Sequence, residues 1–455
     1  MPEPKEHIGA PAMAAAAFTF AVRRREPVLV GPAAPTPRET KRLSDIDDQE
    51  TLRGQVLFLF VYRGGAHDAG DRDPAAVIRR ALGEALVPYY PLAGRLREVE
   101  DRKLVVDCTG EGVMFVEADA DVRLPEIEKA TGLKPPFPCM DQLLFDVDGS
   151  SGVLNCPLLL IQVTRLLCGG FVLAVRLNHT ICDAIGLAQF MSAVAEHARG
   201  VPSPNTAPAW SRELLEARCP PNPPAFPHRE FDAMPPPPPP PPPGDMVMRT
   251  FTFGPDDIAA IKRGLPPAAK TTTTTFEALT AALWRARTAA LEVSPDEEVR
   301  VVSIANFRGV PKVGLPAGYY GNACVAVAAV TTAGALLAGS IGDAVELVRE
   351  TKAAVTAEYV RSTVDLLVLR GRPRLAMANL FVVSDNRHAG FHRVDFGWGQ
   401  PAYGGPAATL FGVSFYIHVG KKKNGAGEGE VGVMIVLPRP AMDRFASEVE
   451  KLLSG

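Results

Sequence analysis

Asn178-His179-Thr180-Ile181-Cys182-Asp183-Ala184-Ile185-Gly186 is the stretch on which the reading of this chain turns. A largely apolar run, Phe171 to Leu177, precedes it and reads as a buried strand. Leu187 to Ala198 follows and reads as a helix. A histidine therefore sits where a strand ends, with an aspartate four residues on and a glycine three after that. Strand ends facing a helix start hold side chains on rigid supports, which suits reactive groups. An imidazole takes up a proton near neutral pH, so His179 fits general-base work on a hydroxyl. The plainer reading makes His179 a partly buried residue bonded to backbone and Asp183 the N-cap of the helix. Aspartate is a favoured N-cap whatever the histidine does. Short patterns of this kind also arise by accident.

Working outward, three further stretches stand in order around this one. Tyr89-Tyr90-Pro91-Leu92-Ala93-Gly94-Arg95-Leu96 lies in the first quarter, and Leu315-Pro316-Ala317-Gly318-Tyr319-Tyr320-Gly321-Asn322 in the third. Val383-Ser384-Asp385 is followed ten residues on by Asp395-Phe396-Gly397-Trp398-Gly399. With H-x-x-x-D-x-x-G at 179–186, this ordered set resembles the plant BAHD acyltransferases, over roughly Phe18 to Leu453. The resemblance implies an α/β fold of the layered α+β kind. It would have two domains like chloramphenicol acetyltransferase, with mixed sheets and the active site in a channel at their interface.

Composition agrees with a folded enzyme of this size. The chain has 455 residues, 47% hydrophobic and 22% charged, enough for more than one sizeable core. A formal net charge of −3 gives no reason to expect a nucleic acid or an anionic membrane as partner. The seven cysteines are scattered, with no C-x-x-C spacing, which argues against a metal site and a disulfide framework. Ala10 to Val22 is too short and wrongly flanked for a signal peptide or membrane span. A cytoplasmic monomer is the expectation.

Along the chain, residues 1–17 are Pro- and Ala-rich and are expected to form a disordered tail. Residues 18–200 read as a first α/β domain. Its strands are expected at Phe18–Val22, Val28–Val30 and Val56–Tyr62, and at Leu104–Asp107 and Gly112–Glu117 about a Thr109-Gly110 turn. A helix from Pro74 is capped by Asp73, and a hairpin, Leu158–Leu166 with Phe171–Leu177, delivers His179. Residues 201–245 are dense in proline and end in nine in succession, Pro235 to Pro243. Such a run joins neither helix nor central strand and predicts an extended surface connector. Proline recognition by a partner is the rarer use. Residues 246–455 read as a second domain, with strands near Met248, Val299, Ala378, Phe411 and Glu430. Helices are expected at Phe276–Arg287, through much of Gly342–Val368, and at Ala441–Leu453.

The resemblance implies a co-substrate, acyl-CoA, and no permanently bound cofactor or metal. It assigns His179 as the base that takes the acceptor's proton and hands it to the departing thiolate. Asp183 would turn away from the histidine and pair with Arg308, with Gly186 letting backbone come close. Asn306 and Phe307 depart from the family's usual Asp-Gly before that arginine. Ser384 would face the acyl carbonyl, and Thr274, Thr275, Ser384 and Asp385 would lie along coenzyme A. Asn386 stands where many relatives carry tryptophan. Asp395, Gly397, Trp398 and Gly399 would be structural. On their own residues, Thr274 and Thr275 read equally well as helix caps, Ser384 as a strand-end cap and Arg308 as a solvated arginine. A Cys182–His179 nucleophile pair is a rival idea. Leu43 to Gln49 and Val106 to Val113 look most like the alcohol acyltransferase branch, which includes benzyl alcohol O-benzoyltransferases. Benzoyl transfer to a small alcohol such as benzyl alcohol is thus the first expectation. Acetyl or hydroxycinnamoyl transfer, amine N-acylation and a silent ligand-binding relative are the alternatives.

Overall fold

Gln55–Tyr62 pairs antiparallel along its whole length with Phe171–Asn178, and this ladder is the centre of the first sheet. Phe58, Phe60 and Tyr62 face one core while Leu59 and Val61 face another, so the strand is apolar on both sides. That is why its sequence is a continuous apolar run rather than an alternation. A computed structural model of the chain describes residues 18–64, 72–146, 152–233, 245–420 and 429–454. The expected N-terminal tail and the nine-proline run lie outside the described residues.

The seven-stranded first sheet runs Val22–Arg24, Val113–Ala120, Leu159–Leu166, Phe171–Asn178, Gln55–Tyr62, Tyr403–Pro406, and Val28–Val30 also pairs with Val113–Ala120. The second sheet has six strands in the order Met246–Phe253, Glu430–Pro438, Val413–Val419, Leu380–Asp385, Glu298–Asn306, Cys324–Thr332. Both are mixed. Val113–Ala120 runs parallel to Leu159–Leu166, and Leu380–Asp385 runs parallel to both its neighbours.

Helices Pro74–Ala85 and Ala184–Ala198 pack together against the first sheet, and Thr275–Ala290 packs against the second. Asp73 caps the first of these by accepting from Ala75 and Ala76. A third core joins the halves, where Leu59, Val61, Val172 and Ala174 meet Ile417, Val419 and Met434.

Three expectations are corrected. Leu104–Asp107 and Val113–Ala120 do not form a hairpin. The former joins Thr40–Arg42 and Arg95–Glu98 in a separate three-stranded sheet, because the chain between them turns through Gly110 and Gly112 at positive φ. The connector after residue 200 is not merely superficial. Arg212, Leu215, His228, Glu230 and Phe231 are buried, and Leu215 and Phe231 share a core with Phe307, Tyr319 and Val364. Finally, the first sheet's edge strand, Tyr403–Pro406, comes from late in the chain, and the stretch before it packs on the first half. Order along the sequence and order in space therefore differ there.

Candidate active site

His179 follows directly on the central strand of the first sheet and is half-buried. Its N–H donates to the Gly54 carbonyl at 2.9 Å, and its own carbonyl accepts from Asn322 Nδ2 at 2.9 Å. One clamp comes from each half of the molecule, so the residue is fixed at their junction. Nδ1 is buried and has no partner, so no carboxylate orients the ring in the manner of a relay triad.

Asp183 turns elsewhere. Its carboxylate takes two hydrogen bonds from Arg308, at 2.8 and 2.9 Å, and accepts from the backbone N–H groups of Gly186 and Ala323 at 2.9 and 3.0 Å. It is thus both the helix N-cap and one half of a buried ion pair. Burial alone would raise its pKa, but the Arg308 guanidinium and the backbone donors outweigh that and hold the carboxyl below the usual range. Arg308 also donates to the Gly321 carbonyl at 2.6 Å. Gly186 is required by a close approach, since a Cβ there would stand 1.9 Å from the Tyr320 carbonyl oxygen. The two motifs read separately in the sequence, 179–186 and 315–322, are thus one packed unit.

Behind this loop lies a second buried network that sequence reasoning missed. Asp47 accepts from Asn322 N–H at 2.9 Å, from Asn322 Nδ2 at 2.8 Å and from the Ser44 hydroxyl at 2.7 Å. Arg212, from the connector, lies 3.2 Å from Asp47 and donates to the Ile181 carbonyl at 2.7 Å. Trp210, Tyr319 and Tyr320 surround its guanidinium at 4.5, 5.1 and 5.2 Å. The signal available was three acidic residues, Asp45, Asp47 and Asp48, beside buried Leu43 and Ile46. Asp45 and Asp48 likewise pair with Lys103 and with Arg53 and Arg372.

The other named residues are spread more widely. Ser384 ends a strand of the second sheet, and its hydroxyl accepts from Asn386 Nδ2 at 3.4 Å; no hydrogen bond joins it to His179. Asp385 binds Arg387 through both oxygens, at 2.9 and 2.6 Å. Thr274 is exposed and caps the helix Thr275–Ala290 by a reciprocal pair of bonds with Glu277. Cys182 is fully buried, and burial pushes its thiol far up, which removes it as a nucleophile. Asp395 folds its own turn by accepting from Gly397 and Gly399, both at positive φ. Trp398 stacks edge-on against Phe171 at 5.4 Å. Phe171 begins the strand that His179 follows, so the turn sits at the far end of that strand, about 26 Å along it at about 3.3 Å per residue. A cavity of about 290 Å³ runs along the helix Ala184–Ala198, lined by Gln189, Ser192, Glu196, Thr206 and Arg393, but not by His179.

The chain that carries this histidine, aspartate and arginine matches known proteins along nearly its whole length. The match to the Transferase family spans residues 20–452. This chain belongs to the BAHD acyltransferases. Among BAHD relatives, benzyl alcohol O-benzoyltransferase of Petunia hybrida is 53% identical over 96% of this chain and 95% of its own length. Its namesake from Nicotiana tabacum is 51% identical over 96% and 94%. Alcohol acyl transferase 1 allele GSa of Malus domestica is 48% identical over 95% and 94%. The crystal structure of vinorine synthase superposes with a TM-score of 0.74 over 95% of this chain and 98% of that one, at 20% identity. F. graminearum TRI101 complexed with ethyl coenzyme A gives 0.74 over 91% and 99%, at 16% identity, so these two speak for the BAHD fold alone.

Proposed function

We propose that this chain is an acyl-CoA-dependent O-acyltransferase of small alcohols, with benzoyl-CoA and benzyl alcohol as donor and acceptor. The observation that carries the reading is sequence identity above 50% along nearly the full length to two proteins named benzyl alcohol O-benzoyltransferases. His179 acts as the base. Its Nε2, which unlike Nδ1 is not sealed in the interior, takes the acceptor's hydroxyl proton as the oxygen attacks the thioester carbonyl carbon. The tetrahedral adduct collapses, the carbon–sulfur bond breaks, and the proton passes to the thiolate. Ester and free coenzyme A leave, with no acyl-enzyme. Asp183 takes no proton, since both its oxygens are committed to Arg308. Its part is to hold the His179 loop in place. The Ser384 hydroxyl donates to the developing oxyanion, and Thr274, Thr275 and Asp385 lie along coenzyme A. The enzyme works as a cytoplasmic monomer with no permanently bound cofactor.

The test is turnover by purified protein, following free thiol release from benzoyl-CoA with benzyl alcohol. His179→Ala is expected to lose about 10²–10⁴-fold in kcat while melting like the wild type. Retained turnover in that folded variant would remove the base assignment. Thiol release with amines but not alcohols would overturn the O-transfer reading.

A further inference from the structure

Outside the residues assigned to acyl transfer, the group most in need of explanation is Arg287. It lies near the C-terminal end of the helix Thr275–Ala290 and is only 4% exposed. Its guanidinium carbon stands 5.4 Å from the centre of the Phe381 ring and 5.3 Å from that of Phe411. Its guanidinium has no hydrogen bond and no ion pair with any described residue. The other two arginines buried to this degree are provided for. Arg212 has Asp47 and the Ile181 carbonyl, and Arg300 has Glu298 and the Arg229 carbonyl.

Burial pushes the Arg287 pKa down to about 10, so the group is still charged at neutral pH. Two phenyl faces stabilise the charge, but no described residue accepts from its five N–H donors. Solvent still reaches these donors, so an acceptor that arrives from outside has a complete guanidinium fork to meet. The way in is open. Arg53 and Arg212 each have a sealed, unpartnered nitrogen, whereas no nitrogen of Arg287 is sealed in this way. The rim is apolar, since Phe411 is 41% exposed and its neighbour Leu410 is 74% exposed.

We propose that Arg287, Phe381, Leu410 and Phe411 form a binding site for a small carboxylate with an apolar, ring-sized body, separate from the acyl-transfer site. A carboxylate matches the guanidinium fork with two parallel hydrogen bonds. The exposed faces of Phe411 and Leu410 take the apolar body, which an inorganic anion lacks. The site lies about 18 Å along the helix from Thr275, at about 1.5 Å per residue.

Equilibrium dialysis of labelled benzoate against the full-length protein tests this, with and without saturating coenzyme A. Benzoate is expected to bind in both conditions, and benzyl alcohol, which carries the ring without the charge, is expected not to displace it. Arg287→Met should weaken binding at least tenfold and melt no lower than the wild type, because it sheds an unpaired buried charge. Phe411→Ala, at the exposed rim, should weaken binding several-fold and reports on the site even if Arg287→Met does not fold. Absence of binding, displacement by coenzyme A or by benzyl alcohol, or unchanged affinity in Phe411→Ala would each overturn the proposal. The readout is binding rather than turnover, so its failure leaves the acyl-transfer reading where it stood.

Discussion

At Gly186 the demand on a single residue is plainest. A methyl group there would meet the Tyr320 carbonyl oxygen at 1.9 Å and the Cys182 Cβ at 2.8 Å, and backbone cannot step aside as a flexible side chain can. Gly186→Ala is therefore expected to cost about 1–3 kcal/mol, as forced overpacking does, measured by denaturant unfolding. A variant as stable as the wild type would show that the two segments are not so close. Asp183 makes a pH-dependent prediction. Its folded-state pKa lies below its ordinary 3.8, so its stabilising effect is fully present above that value and is lost as pH falls through the lower folded one. The melting-temperature advantage of wild type over Asp183→Asn should thus be full above about pH 5 and vanish in strong acid. An advantage that grew on acidification would contradict the ion pair. His179, Asp183 and Gly186 were legible as a pattern, and Arg308 through the family likeness. Asp47, Asn322 and Arg212 had no assigned role before folding, because each is defined by a partner far along the chain.

Among the elements, those with a strong period were readable and those without were not. Pro74–Ala85 declares itself by Asp73, a proline in its first turn and apolar residues at helical spacing. The strand Cys324–Thr332 does not, because Ala326, Ala328 and Ala329 blur the alternation that Val325 and Val327 begin. Thr274 illustrates how one element end can serve two ends. It caps the helix Thr275–Ala290, so Thr274→Ala should lower stability by about 1 kcal/mol. Should this end also bind coenzyme A, KM for the acyl donor rises as well. Melting temperature and donor KM measured together separate the roles, and an unchanged KM assigns the threonine to capping alone.

For the molecule as a whole, the two halves are tied in three ways. They share the core around Val61, Ile417 and Met434, the late strand Tyr403–Pro406 completes the first sheet, and the connector is pinned to the second half. In that connector His228 joins Glu230 and Ser362 at 2.8 Å each, and Arg218 joins Asp365 at 2.6 Å. Calorimetry should therefore record one cooperative transition, and two well-separated transitions would show that each half folds alone.

Periods of two and of 3.6 residues, a capping aspartate and a glycine that tolerates close approach act over a few neighbours, so the sequence by itself determined the main strands and helices. It also placed His179 where a strand gives way to a helix. Which arginine meets Asp183, 125 residues away, was decided only when the sheets closed on each other. The same closure pinned His179 from both halves, while packing within the second half set Arg287 between two rings. Contacts of that separation exist only in the packed chain, where burial makes an unmatched charge or carbonyl costly enough to select its partner.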